Sequence, residues 1–352
     1  MREILNYKIS RGTLLAGILL FAASQLATAG EMLQKVISLE GQWKYSIGSQ
    51  DSWMEPGFDE GDWESIHVPS AWEDQGFHGY NGFGTYRKHF KISSNYKGKT
   101  LYLLLGYVDD VDETYINGQK IGSTGSFPPA YQSAYNAKRV YVIPEDVIRY
   151  DKDNVIVVKV YDSYQYGGIC KGPVGIYFNP NEVNVQVNLQ GSWKFKPGDD
   201  LDRKEVTFND ESWNEIFVPG KWEDQGYRDY DGYAWYRKTF RYEGSLNDEK
   251  AVLMLGKIDD TDEVYVNGIK IGATGDFTTE LNKRIPTENR YQALRGYYFD
   301  TNILKKGKMN TIAVRVYDSG GGGGIYEGPV GLLTQEDYVS YWRQRKKMNS
   351  NN

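Results

Sequence analysis

The chain is poor in the residues that most often carry covalent chemistry. It has one cysteine, Cys170, in 352 residues, so an internal disulfide framework is excluded. Its three histidines, His67, His78 and His89, all fall in the first half. No Gly-x-Ser-x-Gly elbow, phosphate-binding glycine loop or zinc-type His/Cys cluster occurs. Excess positive charge is lacking too. The net charge of −6 argues against nucleic acid or an anionic membrane as partner. Long helical periodicity is absent apart from Gln335–Lys347, where Tyr338, Tyr341 and Trp342 share one face and predict docking on the preceding domain. The apolar run Thr13–Ala23 is shorter than the ~20 residues that span a bilayer. Arg2, Lys8 and Arg11 precede or open it, and Ala27-Thr28-Ala29 follows as a small-x-small cleavage site. Residues 1–29 therefore read as a cleaved secretory signal, and the mature protein is expected to be secreted or periplasmic.

What the chain does have, it has twice. Trp72-Glu73-Asp74-Gln75-Gly76 returns as Trp222-Glu223-Asp224-Gln225-Gly226, 150 residues on. Tyr86-Arg87-Lys88 returns as Tyr236-Arg237-Lys238, and Asn117-Gly118 as Asn267-Gly268. Gly172-Pro173-Val174-Gly175 returns as Gly328-Pro329-Val330-Gly331 at a spacing of 156. Solenoid units run roughly 20–50 residues, so this is a duplicated domain, each copy large enough for its own core. The duplication acts as a filter on chemistry. Cys170 faces Tyr326, and the three histidines face Phe217, Arg228 and Thr239. No Ser-His or Cys-His pair is therefore common to both copies.

Strand signals dominate both copies. Thr100–Leu105, Thr114–Ile116, Val155–Tyr161, Val183–Val187, Ala251–Leu255, Val264–Val266 and Thr311–Tyr317 are β-branched and aromatic runs bounded by turn residues. Each Asn-Gly pair predicts a two-residue hairpin turn with positive φ at both centres. Pro144–Arg149 and Asp300–Leu304 predict single helical turns. The fold class expected is all-β: two antiparallel β-sandwiches of jelly-roll type, 31–178 and 182–334, with a short C-terminal helix and basic tail at 335–352. The tyrosines (29) and tryptophans (9) suit sandwich cores and sugar stacking alike.

Several segments carry two readings. Trp43, Trp193, Trp63 and Trp213 read as structural. Trp72-Glu73-Asp74 leads through Tyr80 and Gly82 to Arg87, and Trp222-Glu223-Asp224 leads through Tyr230 to Arg237. An aromatic ring beside carboxylates and an amide suits a sugar site; alternatively, a Glu73–Arg87 ion pair pins the loop. Asp109-Asp110-x-Asp112-Glu113 recurs as Asp259-Asp260-x-Asp262-Glu263. Four carboxylates in five residues offer the oxygens Ca²⁺ prefers, with Asp109, Asp112, Asp259 and Asp262 as candidate ligands. The plainer reading is a turn whose Asp side chains cap backbone donors. Asp162 and Asp318 end a strand before a Gly-rich loop, where a binding group or an Asx turn both fit.

Val-Pro-x-x-Trp-Glu-Asp-Gln-Gly, Tyr-Arg-Lys-x-Phe and Asp-Asp-x-Asp-Glu-x-Tyr-x-Asn-Gly resemble the sugar-binding jelly roll of family 2 glycoside hydrolases (β-galactosidases and β-glucuronidases). Ile258–Glu263 and Val314–Gly324 also resemble the related sandwich of sialate O-acetylesterases. The resemblance covers both copies. It implies a galactose-binding-like fold with catalysis housed elsewhere, in a barrel or an esterase domain, and the two sandwiches leave this chain no room for either. It also implies that Asp162 and Asp318 correspond to an acid that helps hold a cation near the active site. An asparagine that reaches the sugar in those enzymes is replaced here by Gly82 or Gly232.

The expected function is that of an exported, non-catalytic carbohydrate-binding protein, accessory to glycan breakdown by a separate hydrolase or esterase. Its expected contacts with an oligo- or polysaccharide are Trp72, Glu73, Asp74, Tyr80, Arg87 and Asp162, with Trp222, Glu223, Asp224, Tyr230, Arg237 and Asp318. No cofactor is required, a structural Ca²⁺ is allowed, and no catalytic residue is assigned. The alternatives are a family 2 hydrolase or esterase-related enzyme, and a purely structural pair of sandwiches.

Overall fold

The computed structural model describes residues 33–180, 182–183, 185–246, 249–275, 277 and 290–350. The export signal expected at 1–29 lies outside them. The first repeat runs β1 (Gln34–Ser38), β2 (Gly41–Ile47), β3 (Glu64–Val68), β4 (Gly82–Lys91), β5 (Leu101–Asp109) and β6 (Val111–Ile116). It continues through β7 (Gln119–Thr124), β8 (Lys138–Ile143), β9 (Asp153–Asp162), β10 (Gly168–Lys171) and β11 (Gly175–Phe178). The second repeat runs β12 (Val187–Asn188), β13 (Gly191–Pro197), β14 (Asn214–Val218), β15 (Gly232–Tyr242) and β16 (Lys250–Asp259). Then come β17 (Thr261–Val266), β18 (Ile269–Thr274), β19 (Leu294–Asp300), β20 (Lys308–Asp318), β21 (Gly324–Thr334) and helix α1 (Gln335–Ser350).

In each repeat a six-stranded sheet lies over a smaller one. The larger sheets have the orders β3-β2-β4-β9-β6-β7 and β14-β13-β15-β20-β17-β18. The smaller ones are five-stranded, built on β1-β11-β5-β10 with β8 beside β5, and four-stranded, β12-β21-β16-β19. Every pairing is antiparallel. Period-two patterning explains which face goes inward: Trp43 and Tyr45 of β2 are buried while Lys44 between them is not. Strand β9 is apolar on both faces because both are covered. Ile156, Val158 and Val160 enter the main core, while Val155 and Val157 lie under Trp53, Met54 and the partly buried Trp63. Trp213 closes the matching outer cluster with Trp235 and Tyr265.

The hairpin turns have the backbone their residues require. Asn117 and Gly118 have φ of 52° and 85°, and Asn267 and Gly268 have 50° and 81°. The Asn117 side chain donates to the Val147 carbonyl at 2.8 Å and accepts from Val155 N at 3.1 Å. One segment departs from expectation. Among the described residues of Val183–Val187, only Val187 joins a ladder, opposite Leu332. Val183 instead packs with Met254 and Leu333 beneath Tyr338 and Tyr341 of α1, so its apolar side chain is buried without a ladder. Thr334 caps that helix, its Oγ1 accepting from Asp337 N at 3.0 Å. The repeats touch where Gly125 N donates to the Asp224 carbonyl at 2.7 Å.

Candidate functional site

The acidic segment, the Trp-Glu-Asp turn and the Gly-rich loop meet at one end of the first sandwich. Strand β5 ends on Asp109, β9 ends on Asp162, and a short turn at Glu73–Gln75 lies beside them. Trp72 sits at the bottom, fully buried. Its indole Nε1 donates to Glu73 Oε1 at 2.6 Å and to the Tyr80 carbonyl at 3.2 Å. Glu73 Oε2 accepts from Gly167 N at 3.0 Å. A Cβ at Gly167 would lie 2.1 Å from the Trp72 ring, so the loop must be glycine here to close over the indole. Trp72 therefore packs rather than stacks on solute, and Glu73 staples two loops. Tyr80 is half-buried and donates to the Phe83 carbonyl at 2.7 Å.

Arg87 lies elsewhere. It is buried on the outer face of the large sheet, paired with Glu60 at 3.1 Å rather than with Glu73, and it donates to the Trp53 and Glu55 carbonyls. Arg237 repeats this with Asp210 at 2.6 Å. Neither arginine is brought to the loop cluster. In the second repeat Glu223 accepts from Gly323 N, Trp222 is fully buried, and Tyr230 donates to the Tyr233 carbonyl at 2.5 Å.

The aspartates divide by role. Asp112 is fully buried and accepts from Arg139 Nε at 2.8 Å, Tyr141 Oη at 2.8 Å and Thr114 Oγ1 at 3.0 Å. Asp262 is held in the same way by Arg295 at 2.8 Å and Tyr297 at 2.5 Å. These two support the fold, and their oxygens are spoken for. The carboxylates that do converge are Asp109, Asp110 and Asp162, with ligand oxygens within 4.8 Å of one another, and likewise Asp259, Asp260 and Asp318. Oxygen donors of this kind suit a hard cation, and Oδ2 of both Asp162 and Asp318 is buried without a hydrogen-bond partner. Of the Ca²⁺ ligands expected from sequence, Asp109 and Asp259 lie in these converging groups, and Asp112 and Asp262 do not. Asp110 and Asp260 lie within the acidic run itself, while Asp162 and Asp318 come from the end of a distant strand.

Crowding tunes these acids. Burial, with the Asp110 and Asp162 charges, pushes Asp109 up to about 7, and burial with the Asp110 and Glu73 charges pushes Asp162 up to about 6. In the second repeat Asp259 rises to about 8 and Asp318 to about 7, again chiefly through burial. Asp110 goes the other way. Burial opposes it, but hydrogen bonds from Ser133, Tyr131 and Ser163 outweigh burial and hold it low. A carboxyl raised on folding binds its proton more tightly folded than unfolded, so its contribution to stability falls as pH climbs from about 4 through about 7. Asp109→Asn should therefore raise the urea midpoint at pH 8, measured in EDTA, and the gain should vanish near pH 4. An equal gain at both pH values would exclude this account.

Above this cluster lies an open cleft of about 470 Å³. Its wall includes Asp74, Asp109, Lys171 and the rings of Tyr107, Tyr135 and Tyr166. Of the residues expected from sequence, only Asp74 and Asp109 reach it. Tyr135 and Tyr166 are 59% and 58% exposed. Cys170 lies in the wall too, but burial pushes its thiol up to about 12, so it is no thiolate nucleophile at neutral pH. Sequence reasoning missed the tyrosines because they stand outside every repeated motif.

Comparison with known proteins fits this geometry. Residues 48–164 match the family described as the β-galactosidase second all-beta domain. A β-galactosidase of Thermoanaerobacter pseudethanolicus is 30% identical over 104 residues, 28% of this chain and 14% of its own length. A β-galactosidase of Bacteroides ovatus is 27% identical over 149 residues, 39% of this chain and 16% of its own. Among solved structures, a Bacteroides uniformis β-glucuronidase overlaps 81% of this chain and 28% of its own at 16% identity, with a TM-score of 0.36. On the family match, residues 48–164 form an all-β domain related to those of glycoside hydrolase family 2. The chain spans 14 and 16% of the two β-galactosidases it matches. Among the described residues no helix is long and apolar enough to cross a membrane.

Proposed function

We propose that the protein binds carbohydrate without hydrolysing it, as an exported accessory to glycan breakdown by a separate hydrolase or esterase. The observation that carries this reading is the open cleft of the first repeat, where exposed tyrosine rings stand beside carboxylate acceptors on a domain of family 2 type. Rings and a few placed polar groups are the usual makeup of a small-ligand site. The buried Trp72, Glu73 and Asp162 support the cleft from below. The converging Asp109, Asp110 and Asp162 are the proposed ligands of a structural Ca²⁺, which would neutralise crowded charge.

A second reading is hydrolysis. Two carboxyls, Asp74 and Asp109, share the cleft wall, and Asp109 is raised as a general acid must be. Glycosidases use two carboxyl groups flanking the scissile bond. The two readings separate in one experiment. The full chain is titrated on a glycan array and incubated with p-nitrophenyl β-galactoside and β-glucuronide. Saturable binding with no release of p-nitrophenol is expected. Release that disappears in Asp109→Asn would establish hydrolysis instead.

A further inference from the structure

The repeats differ at the cleft, and the differences lie where a ligand would sit. Tyr164-Gln165-Tyr166 is replaced in the second repeat by Gly320-Gly321-Gly322, Tyr107 by Lys257, Cys170 by Tyr326 and Lys171 by Glu327. Three rings of the first repeat are lost, and other contacts stand at the remaining positions. Gly322 leaves room that Lys221 takes, since a Cβ there would lie 3.1 Å from the lysine Nζ. Lys257 and Glu327 pair with each other at 2.7 Å. Tyr326 Oη donates to the Tyr291 carbonyl at 2.6 Å, and Tyr291 stands where the first repeat has Tyr135. The counterpart of Asp74, which is exposed, is Asp224, which is partly buried with its carbonyl bonded to Gly125 of the first repeat. That edge is covered.

We propose that ligand binding belongs to the first repeat alone, one saccharide per chain, in the cleft between Tyr107, Tyr135 and Tyr166, and that the ligand is an uncharged sugar of one or two rings. The inference rests on the carbohydrate reading above. Volume sets the size: about 470 Å³ falls within the roughly 300–1,000 Å³ typical of small-molecule sites. Charge sets the class. Lys171 holds its ammonium 5.0 Å from the Tyr107 ring centroid, which engages it with the ring, while the exposed Asp74 in the wall opposes an acidic sugar. In the second repeat Lys257, Gly320 and Gly322 stand where the first has the rings of Tyr107, Tyr164 and Tyr166.

Isothermal titration of the full chain with galactose, glucose, lactose, cellobiose and glucuronic acid tests this. At least one neutral sugar should bind at one site per chain, and glucuronic acid should bind more weakly. Tyr166→Ala should weaken binding about tenfold, which corresponds to roughly 1.4 kcal/mol. Tyr166 is mostly exposed, so the variant should fold; Tyr135→Ala provides an independent second test. Tyr326→Ala, in the second repeat, should leave affinity unchanged. Two sites per chain, unchanged binding in both first-repeat variants, or preference for glucuronic acid would overturn the inference and leave the carbohydrate reading standing. No binding of any of these sugars would remove the inference, and a blank glycan array would remove the carbohydrate reading with it.

Discussion

Arg139→Met should destabilise the protein by about 3–5 kcal/mol, the cost of leaving a buried charge without its partner. Arg139 and Asp112 are both fully buried and 2.8 Å apart. The guanidinium also donates to the Ala134, Ala137 and Asp110 carbonyls, so its removal strips donors from one carboxylate and three carbonyls. The pair ties the start of β6 to β8, in the other sheet, and holds the backbone of Asp110 beside the cleft. Chemical denaturation should show the loss as a lower midpoint. The double variant Arg139→Met/Asp112→Leu should lose less than the two single variants summed, because it leaves no orphaned charge. Full additivity, or a single-variant loss under about 1 kcal/mol, would mean that water reaches the pair.

Trp72→Ala should cost about 3–5 kcal/mol as well, the range for deleting a large buried aromatic. The Trp72 ring is fully buried, with centroids of Tyr45 and Tyr80 at 5.8 and 5.7 Å. Its loss would open a cavity under the Gly167 loop and remove the indole donor from Glu73. Stability and near-UV dichroism should therefore fall together. A variant of native stability that fails only to bind sugar would return Trp72 to the role of a stacking platform.

The contrast between Trp72 and Tyr166 explains how much was legible beforehand. Repetition located the elements well. Strands, Asn-Gly turns and the docked face of the last helix all follow from local pattern, because period-two alternation and positive φ are properties of neighbouring residues. Repetition located the site less well. A feature present in both copies is weighted toward the fold they share, so Trp72, Glu73 and Arg87 turn out to be packing, a loop staple and an outer-face ion pair. Tyr107 and Tyr166 occur in one copy and Tyr135 recurs as Tyr291, with nothing in their spacing to mark any of them. Asp112 and Asp109 look alike in sequence, three residues apart on one acidic run. Only the approach of Arg139 from β8 separates them, and a contact across 27 residues leaves no local trace.

The strand order also has a consequence for how the chain reaches its fold. The centre of each large sheet pairs strands far apart in sequence: β4 with β9, Tyr86 opposite Val158, and β15 with β20, Tyr236 opposite Val314. Loop closure must precede the reward of pairing, so assembly of such sheets is slow. Meanwhile the unformed chain holds two near-copies of each partner. Strand β4 meets in β20 almost the same pattern of side chains and the same register that it finds in β9. Order of synthesis works against this wrong pairing, since β9 emerges before β20 and the first sandwich can close before its rival strand exists. Refolding the full chain from denaturant removes that head start, and cross-repeat pairing then competes on equal terms.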